Sequence, residues 1–227
     1  MYVTLPSDDR FEGSTQPSLM APSQMDQSQK RGRVWNEGQS LYHEGDPSAR
    51  VYEIISGVLR LSRVLENGRR QVIAFGYPGD IVGFASEGYH HTECDVIARA
   101  EVVSHNADIL EDGASQPLLQ KRLLKAALNE ISGMQDHFLM LGRKKSHEKL
   151  ASFFAVLSKR VGTPVGSYTQ FKLAMSRCDI ADFLGLTTET VSRTITNFRK
   201  QGVIALDGVQ TVVVLKPEAL TDLCEGE

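Results

Sequence analysis

The chain has 227 residues, 41% of them hydrophobic and 23% charged, which allows one large domain or two modest ones with ordinary cores. A net charge of −3 argues for no particular partner by itself, and no run of about 18 apolar residues is present to form a transmembrane helix. Cys94, Cys178 and Cys224 lie far apart and form no CxxC pair, which excludes a disulfide framework or a cysteine-based metal cluster and suits a reducing cytosol.

Charge is unevenly distributed. Residues 1–142 hold 13 Lys/Arg against 19 Asp/Glu, a balance of −6, while residues 143–227 hold 12 against 9, a balance of +3. An acidic front and a basic back predict a division of labour, with contacts to a polyanion placed at the back.

In chain order, residues 1–30 are polar, contain Pro6, Pro17 and Pro22, and lack an apolar signal core. They read as a disordered tail on a cytoplasmic protein. Residues 31–115 switch to short β-like runs at 51–55, 58–61, 72–75 and 101–103. Turn residues punctuate them: Gly45-Asp46-Pro47, Ser56-Gly57, Asn67-Gly68, Pro78-Gly79-Asp80 and Gly83. Asn67-Gly68 between two such runs is a strong hairpin signal, and many short strands at this spacing predict a β jelly-roll barrel.

Residues 116–144 read as one long helix and a hinge. Leu124, Ala127, Ile131, Met134, Phe138 and Leu141 alternate steps of three and four, a heptad seam. Such a stripe packs either on its own barrel or on a second copy of itself. The bordering polar residues Gln120, Asn129, Gln135 and Asp136 make it narrow, which favours helix against helix. Burial gives roughly 1.5–3 kcal/mol per side chain, and six per chain match an association cost of about 4–15 kcal/mol. A homodimer is expected. The segment Gly142-Arg143-Lys144-Lys145 is expected to break the helix.

Residues 145–227 begin with another helix, over 146–159, whose apolar side carries Leu150, Phe153, Phe154 and Leu157. Further on, Ser176 followed by Asp179 reads as a capping box, so a helix starts at Arg177. Gly185 supplies the left-handed residue that ends it. Thr187 caps the next helix, which runs until near Gly202, and two helices joined by a short Gly-containing turn form a helix-turn-helix. At about 100° per residue, Glu189, Ser192, Arg193, Thr196 and Lys200 share one arc of that second helix, with Val191, Ile195 and Phe198 opposite. An ordinary solvated face is the alternative for a lone helix, but the cap–helix–turn–cap–helix frame favours recognition of base edges in the major groove. Arg193 suits a bidentate contact to guanine and Glu189 a bond from a cytosine amino group. Glu189, Ser192 and Arg193 are thus the expected base contacts, and Ser176, Arg177, Thr187, Thr188, Thr190 and Lys200 the expected DNA-backbone contacts. Residues 204–206, the turn Asp207-Gly208 and residues 212–215 complete a winged helix-turn-helix. Cys178, at the second helical position beside Arg177, lies in the positive end of the helix dipole, which favours thiolate and points to redox control.

At these residues the sequence resembles the catabolite activator / fumarate-nitrate regulator (CRP/FNR) superfamily over about residues 35–215. Glu44-Gly45-Asp46, Ala49, Val51-Tyr52, Ile54, Gly57 and Leu59-Arg60 are similar to its cyclic-nucleotide-type sensor barrel. Residues 141–145, with Glu148-Lys149-Leu150-Ala151, resemble the junction of its fumarate-nitrate branch. Glu189-x-x-Ser192-Arg193 matches that branch's recognition pattern, which implies a palindromic TTGA-type site with TCAA in the other half. Residues 1–35 contain no cysteine, and Ser or Gln cannot replace thiolate in an iron-sulfur cluster. Where the catabolite activator holds cyclic AMP, this chain reads Val82-Gly83-Phe84-Ala85 and His91-Thr92-Glu93, and Glu93 would repel a phosphate. A member with neither sensor resembles the FixK-like regulators, which implies activation of low-oxygen or nitrogen-fixation genes. The resemblance implies double-stranded DNA, a second copy and RNA polymerase as partners, with no cofactor, metal or membrane.

A cupin metalloenzyme is the rival reading, since it shares the barrel shape. It needs His-x-His with a later Glu and a further His. Adjacent His90 and His91 would point to opposite faces of a strand, and His43, His105, His137 and His147 are scattered. A haem-dependent gas sensor on the same fold is a second alternative. The expected fold is α+β: an N-terminal jelly-roll barrel, a long dimerisation helix and a C-terminal winged helix-turn-helix.

Overall fold

The computed structural model describes residues 32–225, so the expected tail lies outside the described residues. The front of the chain is an antiparallel β-domain of six strands: β1 (Arg33–Trp35), β2 (Ser40–Tyr42), β3 (Arg50–Val64), β4 (Arg70–Gly76), β5 (Ile81–Val82) and β6 (Glu93–Asn106). The main path runs β1-β6-β3-β4, with β2 on β6 and β5 on β3. Its interior is filled by Leu41, Ile54, Leu59, Leu61, Val82, Val96 and Val102. This is the jelly-roll type of domain expected from the spacing of the runs.

Two turns act differently from one another. Asn67-Gly68 closes the β3–β4 hairpin, with Gly68 at φ 77° and the Asn67 side chain accepting from the Arg69 N–H at 3.0 Å. Ser56-Gly57, expected as a turn between two strands, is instead a bulge inside the single long strand β3. Gly57 has φ 85°, and a Cβ there would lie 2.3 Å from the Arg99 carbonyl oxygen. Only glycine lets the partner strand pass so close, so the pairing continues through the kink.

A short 3-10 turn leads to α1 (Pro117–Arg143). Leu123 of this helix packs on Val51 and Ile81 of the β-domain, while Leu124, Leu128, Ile131, Met134, Phe138 and Leu139 remain exposed. The helix thus has an inner line on its own chain and an outer apolar face. Gly142 does not break it. The chain turns at Lys144 and Lys145, both extended, and α2 (Ser146–Val161) follows. Lys144 Nζ donates to Ser152 Oγ and to the Cys224 carbonyl, each at 2.8 Å, which ties the junction to both ends of the C-terminal unit.

That unit comprises β7 (Thr163–Val165), β8 (Tyr168–Lys172), α3 (Arg177–Leu184), α4 (Thr188–Lys200), β9 (Ile204–Asp207), β10 (Thr211–Val214) and α5 (Pro217–Glu225). Its sheet order is β7-β8-β10-β9. The β9–β10 hairpin is the expected wing. The β7–β8 hairpin and α5 were not expected, although Val165-Gly166-Ser167-Tyr168 is a recognisable hairpin turn. Phe153, Phe154, Phe171, Phe183, Val191, Ile195 and Phe198 form the core, which is continuous with Val72, Phe75 and Tyr77 of the β-domain. No helix among the described residues is long and apolar enough to cross a membrane.

Candidate nucleic-acid interface

The first helix of the candidate site is fixed at both ends by local chemistry. Ser176 Oγ accepts from the Asp179 N–H at 3.1 Å, and the Asp179 carboxylate accepts from the Ser176 N–H at 2.9 Å. This reciprocal bonding satisfies two donors that a helix start leaves open. At the other end Gly185 sits at φ 62°, ψ 42°, and its N–H donates to the Ala181 carbonyl. The Thr187 side chain then accepts from the Thr190 N–H at 3.1 Å and starts α4. Both caps and the glycine stop lie where the residue pattern put them.

The second helix is sharply two-sided. Val191, Ile195 and Phe198 are buried, whereas Glu189, Ser192, Arg193, Thr196, Asn197 and Lys200 line one open groove. Glu189 and Arg193 form an i,i+4 ion pair at 3.5 Å with both side chains largely exposed, so their charges partner one another. Such an exposed pair is weak, which leaves both groups available. Asn197 was missed as a member of this face. It follows Arg193 by four residues, so helical spacing alone could have found it.

Three expected residues sit differently from their expected roles. Arg177 is not turned outward: it is half-buried and its guanidinium donates to the Val209 carbonyl of the wing turn at 3.5 Å. Burial lowers its pKa. Leu141 packs against the C-terminal core, and a Cβ on Gly185 would be 3.7 Å from its Cδ2. It therefore supports the turn from beneath rather than lying on the open seam. Ala127 is half-buried, while Leu128 and Leu139, outside the expected seam, are exposed. Cys178 is exposed at the start of α3, with its Sγ 3.9 Å from Asp182 Oδ2. Its surroundings therefore include a carboxylate as well as the helix dipole and Arg177. Cys94 is fully buried, and burial pushes its thiol above the ordinary range.

The histidines are dispersed as well. His90 and His91 lie in the segment before β6 rather than on a strand. His90 is buried and stacks on Tyr42 with ring centres 3.7 Å apart, while His91 is exposed. His43 bonds Glu93 and His105 bonds Glu53, each at 3.0 Å. His137 of α1 stacks on Phe183 of α3 at 4.2 Å. Among the described residues no three His, Cys, Asp or Glu side chains are grouped to hold a metal ion.

Comparison with known proteins gives the same two-part division. A Crp-like helix-turn-helix domain matches residues 148–223 and a cyclic nucleotide-binding domain matches residues 33–111. The nitrogen fixation regulation protein FixK of Rhizobium meliloti (strain 1021) is 35% identical over 191 residues, covering 84% of this chain and 86% of that protein. The fumarate and nitrate reduction regulatory protein of Escherichia coli (strain K12) is 32% identical over 203 residues, covering 88% and 81%. The solved structure of FixK2 from Bradyrhizobium japonicum superposes with a TM-score of 0.77 at 31% identity, covering 86% of this chain and 97% of that one. With a capped helix-turn-helix and a wing behind a cyclic-nucleotide-type β-domain, and relatives of this similarity over most of its length, the chain belongs to the CRP/FNR superfamily of transcription regulators, on its FixK-like branch.

Proposed function

We propose that this regulator binds a TTGA–TCAA palindrome as a homodimer and activates genes of low-oxygen metabolism or nitrogen fixation. The observation that carries the reading is the open polar face of α4, with Glu189, Ser192 and Arg193 together in its first two turns. That is where a recognition helix meets base edges. Ser176, Thr187, Thr188, Thr190 and Lys200 at the helix ends supply backbone contacts, and Arg177 contributes by holding the wing turn. The exposed face of α1 takes a second copy of the chain, which sets the recognition helices about 34 Å apart, one duplex turn. The gene class is supported by the FixK and fumarate-nitrate relatives, regulators of nitrogen fixation and of fumarate and nitrate reduction. Activation needs RNA polymerase as a further partner.

Redox control acts at Cys178. Two equivalents of peroxide, each reduced to water as it gives one oxygen atom to sulfur, convert the Cys178 thiolate to sulfinate and place a fixed negative charge at the start of α3, close to the DNA backbone and to Asp182. Both neighbours are anionic, so the modification opposes binding.

Selection of binding sites from random DNA tests the reading. Recovered sequences should hold two inverted half-sites at one spacing. A single unpaired motif, or no enriched motif, overturns it.

A further inference from the structure

The β-domain meets the helix-turn-helix through a row of charged contacts that lie apart from the open face of α4. Arg60 of β3 donates to Asp179 Oδ1 at 2.7 Å and, through its other nitrogen, to Asp95 Oδ2 at 2.7 Å. Arg70 of β4 donates to Asp179 Oδ1 at 2.6 Å and to Asp182 Oδ2 at 3.0 and 2.7 Å. Gln71 donates to the Asp182 backbone carbonyl. Next along β4, Phe75 packs on Phe153 and Phe183 with ring centres 6.2 and 5.3 Å apart. Beyond the strand, Asp80 pairs with Arg160 of α2, whose guanidinium lies 5.0 Å over the Tyr77 ring. The contacts string along β4 and its following turn, and Arg60 gives the row width. Their polarity alternates: the β-domain supplies cations at one end and an anion at the other.

These pairs are poorly suited to adding stability. The Asp179 side chain is 8% exposed and that of Arg60 18%, so desolvation offsets much of the Coulomb gain. What buried pairs of this kind can supply is one geometry in preference to others, because sliding or rotation strands a charge. Asp179 is also the capping residue of α3, and α3 is joined to α4 through the Gly185 turn. The orientation of α3 therefore sets that of α4.

We propose that Arg60 and Arg70 are positioning residues for DNA recognition: by gripping Asp179 and Asp182 they fix the angle at which the β-domain presents the recognition helix. They touch no DNA and act only through α3. In the dimer, on whose existence this reading rests, that angle determines the distance between the two recognition helices and hence the half-site spacing.

The test compares wild type, Arg70→Glu, and the charge swap Arg70→Glu/Asp182→Arg, each confirmed as a dimer by sedimentation. One readout is affinity for a palindrome at the selected spacing against one with two base pairs inserted. The other is the spread of distances between labels at Tyr89→Cys and Val209→Cys in one protomer, with Cys178 and Cys224 replaced by Ser. Wild type should prefer one spacing and show a narrow distance distribution. Arg70→Glu should lose about tenfold of that preference, within the coupling range of contacting networks, and broaden the distribution while keeping its affinity for a single half-site. The swap should restore both. A single variant that retains the narrow distribution, or a swap as broad as the single variant, overturns the proposal. If wild type itself shows no spacing preference, the palindrome reading fails, and the label distances still decide the clasp.

Discussion

Ile131→Glu is the sharpest perturbation of the dimer. Ile131 is 54% exposed in the single chain and sits between Leu124, Leu128, Met134, Phe138 and Leu139, of which Phe138 is 76% exposed. With about half of each surface still to be buried, each side chain stands to contribute about half of the ~1.5–3 kcal/mol of complete burial. Twelve of them in a two-fold pair give roughly 9–18 kcal/mol, against an association cost of about 4–15 kcal/mol. Glutamate at position 131 removes about 1 kcal/mol per copy. In a two-fold seam it also faces its own copy, and two carboxylates about 4 Å apart repel by about 4 kcal/mol at an effective dielectric near 20. Together these raise the dimer Kd by about four decades. Sedimentation equilibrium should show monomer at micromolar concentration, and fluorescence anisotropy on a palindromic duplex should show affinity collapsing in step. A monomeric variant that binds the palindrome like wild type would refute the seam, as would a variant that stays as tightly dimeric as wild type.

Three other perturbations separate the remaining assignments. Arg193→Ala should cost roughly 1–3 kcal/mol on the specific site and relax preference at one symmetric base pair; equal weakening on random DNA would remove its base-reading role. Peroxide should abolish DNA binding of wild type and spare Cys178→Ser, and parallel loss in both would exclude the thiol. His137 titrates at about 4 because burial against Phe183 lowers its pKa, below an ordinary value of about 6.5. The unfolded chain therefore takes up the proton first: stability is full above about pH 6.5 and declines toward pH 4, by on the order of 3 kcal/mol. Melting curves of wild type and His137→Phe across that window should diverge, and superimposable pH dependence would refute the assignment.

What was legible in the sequence was what short-range chemistry decides. The Ser176–Asp179 box, the Gly185 stop and the Thr187 cap are interactions over three or four residues, and the structure forms all three. The Asn67-Gly68 turn is equally local. Ser56-Gly57 misled because the same dipeptide suits a turn or a bulge, and only the approach of Arg99 and Ala100 from β6 selects the bulge. The break expected within Gly142–Lys145 falls at Lys144 and Lys145, because an exposed glycine is tolerated inside a helix whose other residues hold it, at roughly 1 kcal/mol. Arg177 and Leu141 took unexpected positions because their neighbours, the wing turn at Val209 and the Gly185 turn, lie 32 and 44 residues away in sequence. The partners of Asp179 and Asp182 are more remote still, at separations of 109 to 119 residues. No periodicity within one element reveals such pairings.

Those remote partners also resolve a conflict in the charge pattern. The back of the chain is basic, yet its first helix-turn-helix helix carries two aspartates three residues apart, on the element expected beside the phosphates. Facing solvent, they would oppose DNA by like-charge repulsion. In the fold both turn inward onto Arg60 and Arg70, two of the cations of the acidic front half. In the proposed mode of binding, Ser176 and the exposed face of α4 meet the duplex without that repulsion, while the same carboxylates hold the helix at a set angle. The acids that seem misplaced for a DNA-binding helix are thereby the groups through which the β-domain orients it. The apparent charge defect and the interdomain contact are one arrangement.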